Sequence, residues 1–135
     1  MEEPKTLVHM LEATCRLYPS RIALIQDNRR MTYGDLYRAA SSVAKAMARR
    51  GVVKGDRVMI ALPNVPEFVI AYFAAVKLGA VAVTVNIAYT SHELLHLIQN
   101  SGAKAFITTP SVVKKFLDIR QETPHCTVLI VTEGT

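Results

Sequence analysis

Cysteines, glycine clusters and long apolar runs are all scarce in this 135-residue sequence. Cys15 and Cys126 form no CxxC motif and lie far apart, which argues against a disulfide framework and favours buried free thiols. The most apolar run, residues 68–76, stops at Lys77, whereas a membrane-spanning helix needs about 20 residues. The N-terminal segment MEEPKTLVHM is acidic and lacks the basic-then-apolar order of a secretory signal. We therefore expect a cytoplasmic protein with no transmembrane segment.

The charge of the chain is modestly positive. Sixteen basic against 11 acidic residues give a net charge of +5, and the basic residues form only short pairs, such as Arg29-Arg30 and Lys114-Lys115. Neither a long basic run nor an aromatic-rich binding motif is present, so these pairs are typical of solvated helix ends. We expect no nucleic-acid partner.

From residue 57 onward, short β-branched runs alternate with helical stretches that begin at a cap and end near glycine. The predicted strands are residues 58–62, 81–85, 105–108 and 128–131, a spacing that fits a strand plus a crossover helix. Right-handed crossovers then predict an α/β fold, with a mostly parallel sheet and flanking helices.

The crossover helices are predicted over residues 66–78, 91–100 and 112–120. The first is apolar all round and should be buried on more than one side before it ends at Gly79. The other two are amphipathic. Their predicted inward residues are Leu94, Leu97 and Ile98 on the second helix, and Val113, Phe116 and Leu117 on the third.

Upstream of residue 57, the pattern predicts an amphipathic helix near residues 7–17, two short strands around Asp27-Asn28 and a helix after Tyr33. Thr32 and Asp35 have the spacing of a capping box for that helix. We expect one incomplete domain over residues 1–135, built from a leading helix (1–20), short strands plus a helix (21–56) and βαβ units (57–135).

His92, Glu93 and His96 match H-E-x-x-H, in which two imidazoles on one helical face bind zinc and the glutamate acts as general base. The preceding residue gives another explanation, because Thr90 and Glu93 form a predicted capping box that puts His92 in the first helical turn. The extended motif with a third histidine is not matched. We expect no metal site, and a zinc-dependent hydrolase is the remote alternative.

Two stretches resemble motifs of the adenylate-forming (AMP-binding) enzyme superfamily. MTYGDLY (31–37) resembles its Leu-Thr-Tyr-x-Glu-Leu motif, and VKLGAVAVTVN (76–86) resembles its second motif. Residues 7–131 are most similar to acyl-CoA synthetases, and especially to long-chain fatty-acid CoA ligases, in which an Asn-Pro-x-Tyr-Thr-x-x-Glu-Leu run is common. The matching residues are Asn86, Tyr89, Thr90, Glu93 and Leu94, whereas Ile87 replaces the proline.

The resemblance implies a parent enzyme that activates a carboxylic acid with ATP to an acyl-adenylate and then transfers the acyl group to coenzyme A. Such a parent would use ATP, Mg²⁺ and coenzyme A. The sequence lacks the family's phosphate loop ending in Pro-Lys and its later Tyr-Gly-x-Thr-Glu motif, and it stops at VTEGT after a predicted strand. We therefore expect a non-catalytic N-terminal fragment whose partner is the remainder of the parent.

The predicted roles of individual residues are mostly structural, and we expect no catalytic residue in this chain. Helix caps and ends explain Thr32, Tyr33, Asp35, Gly79, Thr90 and Glu93. Asn86 and Tyr89 are candidate pocket or loop contacts, because they follow a strand of the predicted sheet at its carboxyl end.

Apolar residues make up half of the composition, which predicts an exposed apolar face and self-association through it. In the leading hypothesis, the chain contributes a scaffold, a wall of the acid pocket or a dimer contact to the ligase. The alternative is a self-standing, non-catalytic assembly module, for which tight oligomers of the native protein would be the evidence.

Overall fold

Alternating helices and strands form an α/β fold in the computed structural model, which describes residues 6–133. In chain order, the elements are α1 (Leu7–Leu17), β1 (Ile22–Gln26), β2 (Arg29–Thr32), α2 (Tyr33–Arg49), β3 (Arg57–Ala61), α3 (Pro66–Lys77), β4 (Val81–Thr84), α4 (Ser91–Ser101), β5 (Ala105–Thr108), α5 (Pro110–Ile119), a 3₁₀ turn (Arg120–Glu122) and β6 (Val128–Val131). Each helix in this part of the chain is too short or too polar to traverse a bilayer.

The main sheet has four parallel strands in the order β4-β3-β5-β6, which confirms the predicted parallel sheet. Arg57 pairs with Val81, Val58 with Ala105, and Ala105 with Val128. The chain leaves β3 toward one edge of the sheet and leaves β5 toward the other. The carboxyl ends of β3 and β5 therefore flank a topological switch point, where open α/β sheets bind ligands.

Strand β3 is buried on both faces, as expected for the centre of a parallel sheet. Val58 and Ile60 pack with α2 and α3, whereas Met59 and Ala61 pack with α4 and α5. This division follows from the two-residue period of a strand.

Helix α3 lies between the sheet and the N-terminal elements. Ala71 and Ala74 pack toward the sheet, while Ile70 joins a second cluster with Leu11 of α1 and Leu36 of α2. Every residue of α3 is at least partly buried. The predicted burial on more than one side is confirmed.

The predicted inward face of α5 is partly wrong. Val112, Phe116 and Ile119 are buried, whereas Leu117 is 50% exposed. The predicted and the observed inward residues both have helical spacing that includes Phe116. The orientation of α5 on the sheet determines which of the two sets is buried. Phe116 stacks on Phe106 of β5, with ring centroids 5.1 Å apart.

Both predicted capping boxes are confirmed. Thr32 Oγ1 accepts from the Asp35 amide at 3.0 Å, and Asp35 Oδ2 accepts from the Thr32 amide at 3.1 Å. The bond from the Thr32 backbone is the main reason that the pKa of the Asp35 carboxyl lies below its usual value. In α4, Thr90 Oγ1 accepts from the Glu93 amide and Glu93 Oε2 accepts from the Thr90 amide, each at 3.2 Å.

The Thr90 cap should be measurable in the stability of the chain. We expect Thr90→Ala to lower the free energy of unfolding by about 1 kcal/mol, because the amide of Glu93 loses its acceptor. Ser91→Ala is the matched control, with an expected change within about 0.5 kcal/mol. Urea denaturation measures both, and equal losses would contradict the capping assignment.

The face assigned to α5 makes a second prediction. Phe116→Ala should lower the free energy of unfolding by about 3–5 kcal/mol, because a fully buried ring leaves a cavity against the sheet. Leu117→Ala removes a neighbouring side chain that is half exposed and should cost less than about 1 kcal/mol. Chemical denaturation measures the free energy of unfolding of both variants. A larger loss in Leu117→Ala than in Phe116→Ala would contradict the assigned buried face of α5.

Candidate functional site

A cleft of about 590 Å³ lies beyond the carboxyl ends of β3 and β4. Its apolar lining includes Leu62, Phe68, Val85 and Ile87, and its amides belong to Asn64 and Asn86. Polar and apolar groups contribute about equally to this lining, which suits a small organic ligand that has both kinds of surface.

The loop between β4 and α4, residues 85–90, forms one side of this cleft. Asn86 Oδ1 accepts from the Ala88 amide at 2.8 Å, and the Tyr89 amide donates to the Asn86 carbonyl at 3.3 Å. The first contact is an Asx turn, in which the side chain replaces a backbone acceptor. Asn86 therefore shapes the loop as well as lining the cleft.

Tyr89 lines a different depression. Its neighbours in a groove of about 460 Å³ along α4 include His92, Glu93 and His96. The structure thus separates the two candidate contact residues, placing Asn86 at the ends of the strands and Tyr89 on the helix side. Tyr89 is 37% exposed, so its ring is accessible from the groove.

The loop also has a contact that sequence reasoning missed. Lys115 of α5 directs its Nζ to the carbonyl oxygens of Tyr89 and Ile87, at 2.9 and 3.2 Å. In the sequence, Lys115 is one member of a basic pair and carries no signal of this role. Only the packing of α5 beside α4 brings it to the loop.

Hydroxyl groups at the end of β5 were missed as well. Thr108 is fully buried, and its Oγ1 donates to the Ala61 carbonyl of β3 at 2.9 Å. Thr109 is almost fully buried, and its hydroxyl lies 2.9 Å from that of Ser111. A Thr-Thr-Pro sequence that begins at the last residue of a buried strand could have indicated this polar strand end. These groups stabilise the switch point between β3 and β5.

The histidine pair does not gather further metal ligands in the described structure. His92 lies in the first turn of α4, and both His92 and His96 are exposed. Glu93 uses one carboxylate oxygen for the Thr90 cap. Across residues 6–133, no group of three histidine, cysteine, aspartate or glutamate side chains is close enough to hold a metal ion.

Tyr33 and Gly79 have structural contacts. The Tyr33 carbonyl accepts a hydrogen bond from Cys15 Sγ at 3.1 Å, which ties α1 to the start of α2. Gly79 follows α3 with φ +73°, a conformation that favours glycine, and its carbonyl accepts from the Gly55 amide at 2.9 Å.

The two thiols are unsuited to nucleophilic chemistry at neutral pH. Both Cys15 and Cys126 are free and buried. Burial raises the pKa of the Cys15 thiol and raises the pKa of the Cys126 thiol to about 11. Both groups therefore remain protonated, and the nucleophilic thiolate is scarce.

Comparison with known proteins places this architecture in a family. Residues 11–135 match the family described as AMP-binding enzyme. Triostin synthetase I of Streptomyces triostinicus is 37% identical over 102 residues, which are 76% of this chain and 19% of that protein. A medium/long-chain-fatty-acid–CoA/3-oxocholest-4-en-26-oate–CoA ligase of Mycolicibacterium smegmatis is 36% identical over 118 residues, covering 87% of this chain and 21% of the ligase.

Solved structures agree with the sequence relatives. The Mycobacterium tuberculosis fatty acyl CoA synthetase superposes with a TM-score of 0.86 and 29% identity, covering 93% of this chain and 26% of that one. The chain spans about a fifth of the length of the curated relatives it matches. Because the family match extends over most of the sequence, the chain belongs to the AMP-binding enzyme family.

Proposed function

We propose that this chain is the N-terminal part of an ATP-dependent acid–CoA ligase that acts in the cytoplasm on a fatty acid or a related carboxylic acid. In the reaction, a carboxylate oxygen bonds to the α-phosphorus of ATP as pyrophosphate leaves. The sulfur of coenzyme A then bonds to the acyl carbon, with loss of its proton, as AMP leaves. The observation that carries the proposal is the family match over residues 11–135, together with relatives named as CoA ligases.

The share of this chain in the reaction is to position and enclose the acid. The cleft at the ends of β3 and β4 has a mixed lining: Leu62, Phe68 and Ile87 offer apolar surface to a hydrocarbon, and the side-chain amides can bond a polar group. A lining of this kind contributes binding energy and orientation rather than charge stabilisation.

We propose that ATP and Mg²⁺ bind to residues of the parent other than these. Gly51, Gly55, Gly79 and Gly102 lie singly at turns and helix ends and form no phosphate-binding loop. The described residues 6–133 also bring no three potential metal ligands together. Stabilising the transferring phosphoryl group requires clustered amides and cations. We therefore assign ATP, Mg²⁺ and coenzyme A to the remainder of the parent and a non-catalytic role to these residues.

A second proposal is supported by the outer strands of the sheet. Neither β4 (VAVT) nor β6 (VLIV) contains a charged residue or a proline, which are the usual protection of exposed strand edges. Val81 and Val131 on these strands are 50% and 41% exposed. We propose that the 135-residue chain self-associates through these apolar edges, as a dimer contact of the ligase or as an assembly module.

The ligase proposal is tested on the protein at the length at which its own cell makes it, detected with an antibody against residues 6–133. We expect a species several times longer than 135 residues that forms acyl-CoA from ATP, coenzyme A and octanoate or palmitate. The rate with either acid should exceed that with acetate by about tenfold or more, because a longer chain buries more apolar surface.

The 135-residue chain is the control for this assay and should form no thioester. A native species of 135 residues, or a long species that is inactive with octanoate, palmitate, acetate and benzoate, would contradict the ligase proposal. Metal analysis of the same material tests the zinc alternative, which would require about one zinc per chain.

Light scattering over a range of concentrations tests the association of the 135-residue chain. We expect the average mass to rise with concentration in the wild type and to stay near that of a monomer in the double variant Val81→Lys/Val131→Lys. Val53→Lys is the matched control, since Val53 is 60% exposed but lies outside the strands. A wild-type monomer at all concentrations would refute self-association.

A further inference from the structure

Lys115 is a cation whose described contacts are directed at one loop. Its Nζ lies 2.9 Å from the Tyr89 carbonyl oxygen and 3.2 Å from the Ile87 carbonyl oxygen. The ion pairs found within residues 6–133 do not include Lys115. An ammonium has three donors, and two of them here bond the backbone of the β4–α4 loop.

The middle of this loop has few other contacts that hold it in place. Residues 86–90 are exposed, although Ile87 and Tyr89, at 37% each, keep much of their surface covered, so packing restrains the loop only in part. The internal bonds of the loop are the Asx turn from Asn86 to the Ala88 amide and the longer contact from the Tyr89 amide to the Asn86 carbonyl. The two ends of the loop are held by the Val85 amide, which donates to the Ile60 carbonyl at 3.0 Å, and by the Thr90 cap of α4. Between these ends, Lys115 supplies side-chain hydrogen bonds from another element, and bonds from a charged donor are stronger than neutral ones.

The position of Lys115 matters because the loop that it bonds contributes residues to two separate depressions. Ile87 lines the cleft at the ends of β3 and β4, whereas Tyr89 lines the groove along α4. Lys115 bonds the carbonyl groups of both residues. A movement of the loop away from α5 would therefore change the wall of the cleft and the start of α4 together.

We infer that Lys115 is a positioning residue that holds the β4–α4 loop in the conformation that binds the carboxylic acid. This inference rests on the proposed ligase function. Lys115 touches no reacting group; it acts through the backbone of Ile87 and Tyr89. The acid-binding wall is thus fixed by a side chain from the following βα unit.

Three variants of the native-length protein test the inference. Lys115→Met removes the charge and the donors while keeping most of the side-chain volume, and Lys115→Arg restores donors. Lys114→Met is the matched control, because Lys114 is the adjacent lysine of α5 and is exposed. Amide hydrogen exchange at Ala88 reports the order of the loop, and initial rates with octanoate or palmitate, whichever has the lower KM, report acid binding.

In Lys115→Met, we expect Ala88 to exchange about tenfold faster than in the wild type, because the open form of the loop becomes more populated. The KM for the acid should rise about fivefold, while kcat and the KM for ATP stay within about twofold, since a displaced wall weakens binding without changing the chemical step. Lys114→Met should match the wild type, and Lys115→Arg should recover most of both effects.

Unchanged exchange at Ala88 in Lys115→Met would overturn the inference, and so would faster exchange with an unchanged KM for the acid. A fall in kcat alone would indicate a general structural role and would also overturn it. If the wild-type protein forms no thioester with any acid, the ligase proposal fails, and the role in acid binding fails with it. The exchange measurement still decides, independently of activity, whether Lys115 holds the loop.

Discussion

The pairing of β3 with β5 is the contact on which the rest of the structure depends. Val58, Met59 and Ile60 of β3 have no exposed surface, and neither does Phe106 of β5. Because successive side chains point to opposite faces, this one pair of strands supplies both hydrophobic clusters of the sheet. Helices α2 and α3 cover one face and α4 and α5 cover the other, so the positions of these four helices follow from the central pair.

The candidate site is an indirect product of the same arrangement. After β4, the chain enters a loop whose residues 86–90 are exposed, and polar contacts contribute strongly to its conformation. Thr108 bonds β5 to the Ala61 carbonyl of β3, and Asn86 forms the Asx turn of the β4–α4 loop. Lys115 then links that loop to α5. A rigid core thus carries a binding edge held by a few hydrogen bonds.

Local signals were sufficient to predict most of the fold. The strand at residues 105–108 and the helix starting at Ser91 lie where β-branched runs and a capping box put them. These features depend on residues that are close in the sequence. The stretches MTYGDLY and VKLGAVAVTVN indicated the family for the same reason, because each motif consists of residues that are adjacent in the sequence.

Features that depend on the approach of distant elements could not be predicted. Leu117 and Ile119 both satisfy the helical period, and only the orientation of α5 on the sheet shows that Ile119 is the buried one. The contacts of Lys115 and Thr108 cross 26 and 47 residues of sequence. The partner of neither residue has a local signature: Lys115 is one of two adjacent lysines, and the Thr-Thr-Pro sequence indicates a polar strand end without indicating that Thr108 bonds to Ala61.

The order of the strands has a consequence for the entropy of the chain. β3 with β4, and β5 with β6, pair over short separations, as in Arg57 with Val81 and Ala105 with Val128. The central pairing joins Val58 to Ala105 and encloses a loop about twice as long, and each doubling costs roughly 0.6 kcal/mol in closure entropy. Within the main sheet, the pairing of β3 with β5 therefore costs the most closure entropy, and its strands are also the most completely buried. Burial of apolar surface is greatest where the two local units, β3-α3-β4 and β5-α5-β6, meet.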